Sequence, residues 1–280
     1  MSTPRYSFTA LVAVVGAATA HAARNTSTFA PQSLSSLAST GYRDSSFNGT
    51  GFEASEGYAE GTVNNQNGWT GFANLGANDA STVGTGGNPG QALRLTKNAQ
   101  SAQGAFLGGF SPIFSNPSRR TMQVDVRIDD SGGSNYFFSG ATVSSPIPGE
   151  PNATLFVVNF DYRGTIYVGQ NTAGALTFVN TGINWARNTW KTVSVELTQT
   201  GINYRYDGQS FNAGFLNPTL GNSGLLEQAV LYSDNYQDAG AGSISGGANP
   251  AAGYFDNLAL IPAPSTALLF LALFAPRRRG

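Results

Sequence analysis

From Phe52 onward the chain is patterned in twos. Met122-Gln123-Val124-Asp125-Val126-Arg127-Ile128-Asp129 alternates apolar and polar without a break. That period belongs to a strand with one buried face, not to a helix. Val193, Val195 and Leu197 alternate with Ser194 and Glu196, and Tyr204-Arg205-Tyr206 runs into the turn dipeptide Asp207-Gly208. Leu155 to Phe160 is almost continuously apolar and reads as a fully buried strand. Ile166 to Val168 follows it across a hairpin marked by Arg163-Gly164. Further strands are expected at Ala92–Leu95, Ala105–Phe110, Tyr136–Val143, Leu176–Val179, Ala229–Tyr232 and Tyr254–Ile261. No stretch of about a dozen residues in the body of the chain repeats at 3.6. Some ten to twelve short strands separated by Gly, Asn and Pro turns predict an all-β, antiparallel β-sandwich or jelly roll over residues 47–261. No internal repeat points to a propeller or solenoid.

The ends follow other rules. Arg5, the apolar stretch Phe8 to Ala18 and the small-x-small triplet Ala20-His21-Ala22 read together as a signal peptide over residues 1–22. Residues 23–46 are rich in Ser, Thr, Ala and Asn, have no period, and read as a flexible lead-in. Residues 262–280 begin with Pro262-Ala263-Pro264-Ser265-Thr266, continue into the apolar run Leu268 to Phe274, and end in Arg277-Arg278-Arg279.

Composition removes several chemistries. The 280 residues contain no Cys and one His, and that His21 lies in the signal. Disulfides, thiol catalysis, Ser-His-Asp triads and His- or Cys-based zinc sites are therefore excluded from the exported product. Acid–base chemistry would fall to Asp, Glu, Tyr or Lys. Net charge is −1, so there is no electrostatic footprint for nucleic acid. Loss of both ends removes four of the fifteen basic residues and no acidic one, leaving a charge near −5.

The order of a Pro-x-Pro-Ser-Thr motif, an apolar segment and a basic tail resembles the PEP-CTERM sorting signal of Gram-negative bacteria. The resemblance implies export, a transient C-terminal membrane anchor, and processing by an exosortase-like membrane protease. The product would reside at the cell surface, outer membrane or extracellular matrix. Two features depart from that pattern: Ala263 stands where Glu is usual, and the apolar run is short for a span of about 20 residues.

A second resemblance covers most of 51–260. Gly51-Phe52-Glu53, Gly57-Tyr58-Ala59-Glu60-Gly61-Thr62, Trp190-Lys191-Thr192-Val193, Tyr206-Asp207-Gly208 and Phe255-Asp256-Asn257-Leu258 occur in the order seen in concanavalin A-like lectin/glucanase jelly rolls. Galactose-binding-like sandwiches have similar ends. The glucanases of that superfamily cut sugars with carboxylates in a Glu-x-Asp-x-x-Glu strand, and no such triplet exists here. Asp125 and Asp129 would lie about 13 Å apart along a strand, beyond the roughly 5–9.5 Å of a glycosidase pair. Arg127 between them suggests a solvated outer face. Glu53, Glu56 and Glu60 cluster in a Gly-rich opening and read equally as turn flanks.

The resemblance also implies a structural Ca²⁺ where the first and last strands join, with Glu53 and Asp256 as ligands. Asp129-Asp130 with Asn135, and Asp234 with Asp238, are weaker oxygen clusters. Sugar binding needs an aromatic platform. Trp185 and Trp69 sit in or beside loops, and Tyr162, Tyr232 and Tyr236 lie near polar residues; Trp185, Trp69 and Tyr236 are the candidates, and Trp190 is expected in the core. Three functions remain open: a non-catalytic polysaccharide-binding or matrix protein, a glycan-active hydrolase or lyase, and a structural surface protein without ligand.

Overall fold

The computed structural model describes residues 47–74, 80–97, 106–117, 120–130, 134–145, 152–172, 175–235 and 251–261. Sixteen strands among them, numbered along the chain, form two antiparallel sheets packed as a sandwich. The first sheet runs in the order β14 (Gln209–Ala213), β13 (Ile202–Tyr206), β12 (Lys191–Leu197), β7 (Thr121–Asp130), β16 (Ala251–Ile261), β5 (Gly90–Lys97), β4 (Ala80–Gly87) and β2 (Gly61–Thr62). Its ninth strand, β1 (Gly49–Thr50), also pairs with β16. The second sheet runs β11 (Ala175–Asn184), β10 (Thr165–Thr172), β9 (Ala153–Phe160), β8 (Ser134–Thr142), β15 (Gln228–Asn235), β6 (Phe106–Phe110) and β3 (Thr70–Asn74). More strands form than the sequence announces. β1, β2, β3, β4 and β14 are short or built from Gly, Thr, Ser and Asn, which hide the alternation.

The alternation of β7 is realised residue by residue. Met122, Val124, Val126 and Ile128 are buried, and Gln123, Asp125, Arg127 and Asp129 are not. That buried face shares one core cluster with Val193, Val195, Leu197, Phe255, Leu258 and Leu260 of the same sheet and Tyr136, Phe138, Phe156, Val158, Phe160 and Leu231 of the other. β8 and β9 behave differently, with both faces buried almost throughout. This accounts for their apolar runs: one face enters the inter-sheet core and the other belongs to a second apolar cluster on the outside of the seven-stranded sheet.

One buried acid ties the loops around β8. The Glu227 carboxylate accepts hydrogen bonds from Thr142 Oγ1 (2.8 Å), Val143 N (2.7 Å), Ser144 N (2.8 Å) and Ser144 Oγ (2.6 Å). Burial opposes its charge, but these donors outweigh burial and hold its pKa below the ordinary value. Glu227→Ala leaves four donors unmet and is expected to cost about 2–3 kcal/mol at neutral pH. The depressed pKa gives the sign: this stability exists above the unfolded carboxylate pKa and is lost as pH falls through the folded one. Urea melts of the two proteins should therefore converge as pH drops below about 4. A gap that does not change with pH would show that the carboxylate's charge contributes nothing.

Candidate functional site

The outer face of the seven-stranded sheet is unlike an ordinary solvated face. Strand register places Asn180, Tyr167, Asn159, Phe137, Tyr232, Gly108 and Phe72 in one row, each opposite the next on the neighbouring strand. At about 4.8 Å per strand the row is about 29 Å long. A second row, two residues along each strand, holds Phe178, Gly169, Val157, Ser139, Val230, Phe110 and Thr70. Phe137 and Tyr232 stack with ring centroids 4.4 Å apart and planes within 3°. Phe72 meets Phe110 at 4.8 Å and Tyr232 at 6.5 Å. Gly108 is required here, because a Cβ would lie 2.3 Å from the Leu231 carbonyl oxygen and 2.5 Å from Tyr232 Cβ.

Polar groups lie in this apolar ground without partners. Asn159 is 1 % exposed, and neither its Oδ1 nor its Nδ2 has a hydrogen bond among the described residues. Ser139 Oγ (residue 5 % exposed) and Asn135 Nδ2 are in the same condition. Native folds leave few such atoms, because each one is costly. The only carboxylate with described contacts at this end of β9, Asp161, is closed onto Arg163 at 2.8 and 3.0 Å. Burial raises the Tyr167 pKa, with the Asp161 charge adding to it, so this phenol is held protonated rather than poised as a base. No acid pair with glycosidase spacing stands among the described side chains of the face.

A second constellation lies where β1, β16 and the β4–β5 turn meet. Asp256, fully buried, accepts from Asn88 N at 2.5 Å and Asn257 N at 2.7 Å. Glu53 accepts from Gln91 N at 3.2 and 3.3 Å. Asp125 accepts from Thr192 Oγ1 (2.6 Å), Asn257 Nδ2 (2.9 Å) and Asn88 Nδ2 (3.2 Å). Phe52 and Asn257, beside Glu53 and Asp256, both have positive φ, +57° and +49°. Such conformations cost energy in non-glycine residues and mark positions the surroundings force. Burial pushes the Asp256 pKa up to about 7, with the charges of Glu53 and Asp125 adding to it. The structure thus brings Glu53 and Asp256 together and adds Asp125, weighed from the sequence only as half of a glycosidase pair, with Asn88 and Asn257, which the sequence did not single out.

Arginine and lysine are absent from these hydrogen bonds, and the donor set is all oxygen, which suits a hard cation such as Ca²⁺. Among the described residues no three Asp, Glu, His or Cys side chains gather in metal-holding geometry, so amide and backbone carbonyl oxygens would have to complete the shell. Asp129 and Asn135 have separate partners, and the side chain of Asp130, the third member of that cluster, is outside those described. Asp129 and Asn135 lie on different sheets, Asp129 bound to Arg127 at 2.8 Å and Asn135 Oδ1 accepting from Tyr162 N at 2.9 Å.

Both tryptophan candidates require correction. Trp69 is 1 % exposed; its Nε1 donates to Tyr58 Oη at 2.9 Å and its ring lies 5.2 Å from Phe52. Trp185 is 7 % exposed and donates from Nε1 to the Asp161 carbonyl at 2.8 Å. Each loop returns its indole to the core because the ring carries more apolar area than a turn can leave in water, and the N–H finds an acceptor inside. Trp190, expected in the core, instead lies half-buried on the outside of the nine-stranded sheet, under Arg127 (5.2 Å) and beside Tyr254. Tyr236, Asp238, Pro262 to Thr266 and Arg277 to Arg279 lie outside the described residues. The residues that the sequence reading missed had one signal: Asn159 is the single polar residue in Leu155 to Phe160.

With this geometry in view, comparison with known proteins is informative about architecture. No family model and no curated protein sequence matches the chain. Among solved structures, a sialidase superposes with a TM-score of 0.52 at 11 % identity, covering 80 % of this chain and 19 % of the sialidase. The chain therefore spans about a fifth of that protein. A Bacillus licheniformis β-glucanase gives 0.48 at 15 % identity over 76 % of this chain and 97 % of its own. An endo-β-1,4-glucuronan lyase from Trichoderma reesei gives 0.44 at 12 % identity, over 78 % and 95 %. The fold is a jelly-roll β-sandwich.

Proposed function

We propose that this protein is exported, held at the cell surface or in the extracellular matrix, and binds polysaccharide through the outer face of its seven-stranded sheet without cutting it. The observation that carries this reading is the aromatic row through Tyr167, Phe137, Tyr232 and Phe72, with Asn159 inside it. These rings are 1–8 % exposed, so the face must open before a sugar can stack on them; opened, it would offer flat apolar surface with a few placed polar groups to fix orientation. The absence of an acid pair on the described face favours binding over hydrolysis. The proteins of similar fold bear glycan-related names, which agrees with a glycan ligand but does not choose between binding and cutting. Export machinery and an exosortase-like protease would be the processing partners. Among the described residues no helix is long and apolar enough to cross a membrane; the proposed sorting segment lies outside them. A Ca²⁺ held by Glu53 and Asp256, with Asp125 nearby, would tie the first strand to the last and serve stability.

Incubation with a panel of polysaccharides tests the central reading. Retention in affinity electrophoresis with no new reducing or unsaturated ends is the expected outcome. New reducing ends would establish a hydrolase and unsaturated ends a lyase, and either would displace the binding proposal. The exported form should have the intact mass of residues 23 to about 261; a full-length cytosolic form would overturn the sorting proposal.

A further inference from the structure

We propose that the outside of the nine-stranded sheet carries a second binding surface, on which Arg94 and Trp190 take a uronate-bearing sugar chain. It lies on the far side of the sandwich from the aromatic rows of the seven-stranded sheet. Strand register sets Thr82, Arg94, Tyr254 and Arg127 opposite one another across β4, β5, β16 and β7. Trp190 completes the row, since the residue after it, Lys191, pairs with Val126. Cations and rings therefore alternate along it. The Arg127 guanidinium lies 4.2 Å from the Tyr254 ring and 5.2 Å from that of Trp190, and the Arg94 guanidinium lies 5.7 Å from Tyr254. Each is within reach of a cation–π attraction.

The two arginines are not equivalent. Arg127 is spent: it donates to Asp129 at 2.8 and 3.4 Å and to the Gly86 carbonyl at 3.1 Å. It acts as a fixed spacer between the rings. Arg94 is exposed and has no hydrogen bond or ion pair among the described residues. Trp190 is half-buried, and its Nε1–H has no acceptor among them. The buried Tyr254 ring is the bed on which Arg94 rests.

The unpaired nitrogens of this row are all donors. A carboxylate only accepts, and it matches the planar guanidinium fork in a bidentate pair. Two nearby acids are already neutralised, Asp129 by Arg127 and Asp207 by Lys191 at 2.7 Å. Asp125 stands two strands and two residues from Arg94, about 12 Å by strand spacing, beyond a Debye length at physiological salt. A carboxylate brought to Arg94 thus meets a cation without a counter-charge. The half-exposed indole adds flat apolar surface and one more donor for the sugar ring that bears it. The sugar half of this assignment rests on the glycan reading above; the charge half does not.

The test uses the full chain and its Arg94→Ala, Arg94→Lys and Trp190→Ala variants. Each is titrated calorimetrically with oligoglucuronate, with cello-oligosaccharide as the counterpart lacking the carboxylate, and with a sulfated oligosaccharide, in low and in high NaCl. Wild type should bind oligoglucuronate about tenfold or more tightly than the neutral chain, and high salt should weaken only the former. Arg94→Ala should abolish both the preference and its salt dependence. Arg94→Lys should restore only part of the preference, because it keeps the charge and loses the fork. Trp190→Ala should weaken oligoglucuronate binding by about threefold or more. Arg94 is a surface residue, so its variants should melt within about 2 °C of wild type. Equal affinity of wild type for the two chains, or a preference that survives Arg94→Ala, overturns the proposal. Tighter binding of the sulfated chain overturns the carboxylate assignment. Binding of neutral chains alone overturns this surface and leaves the glycan reading intact, and binding of no chain overturns both.

Discussion

Trp69→Ala is expected to lower the unfolding free energy by about 3–5 kcal/mol and the melting temperature by on the order of 10 °C. The indole fills a space that cannot close once it is emptied. Phe52 lies 5.2 Å from it and Tyr58 is bonded to its Nε1. Gly109 of β6 has no side chain to spare, since a Cβ there would already stand 3.0 Å from the indole Cε3. The walls are strand backbone and rigid rings, so little relaxation can offset the cavity. The Tyr58 hydroxyl would also be left without its donor. Tyr58→Phe, which removes only the hydrogen bond, should cost about 1 kcal/mol. Equilibrium urea denaturation of both variants measures the difference, and oligosaccharide titration of the folded variant completes it. A loss within about 0.5 kcal/mol, the range of a surface change, would return Trp69 to the list of ligand platforms.

Calcium-free protein should lose stability as pH rises from about 4 to about 7. The sign follows from Asp256. Its folded pKa is pushed up to about 7 by burial first and by Glu53 and Asp125 after it, whereas an unfolded Asp titrates near 3.9. Between these values the native state holds a proton that the unfolded state has released, so stability falls with rising pH. Full ionisation would cost about 4 kcal/mol, or a melting temperature lower by on the order of 10 °C. Glu227 acts in the opposite direction at lower pH, so the curve should peak near about pH 4. Asp256→Asn should flatten the alkaline side. If the cluster holds Ca²⁺, millimolar CaCl₂ should restore the loss at pH 8 by mass action. Calorimetry in chelator and in CaCl₂ reads both effects. A melting temperature indifferent to calcium at pH 8 would remove the cation from the account, and a flat pH curve would remove the buried acid.

The layered β architecture was legible because β7, β12 and β13 keep strict alternation, each with one face in the core. The outer aromatic face was not legible as a face. β8 and β9 are buried on both sides, so their apolar runs reveal depth but not which residues look outward; only register separates Phe137 from Phe138. The rows join residues from seven strands spread from Thr70 to Tyr232, and no local pattern encodes such a juxtaposition. Glu53 and Asp256 could be read because each follows a Phe at an end of the domain. Asn88 and Asn257 could not, since their role depends on a turn that closes across the sheet. The tryptophans misled because a loop position is compatible with an inward-pointing ring.

The pairing of β1 with β16, Gly49 against Ala259 and Thr50 against Leu258, brings both ends of the sandwich to one corner. β16 is also an interior strand, with β7 on one side and β5 on the other. A load applied at Ile261 therefore enters the domain through a strand zipped on both flanks. To draw it out, the ladders to both neighbours must slide together rather than open one bond at a time. A tether at that end would be mechanically robust, with pull transmitted to the middle of the sheet while the face around Asn159, on the other sheet, stays out of the line of force.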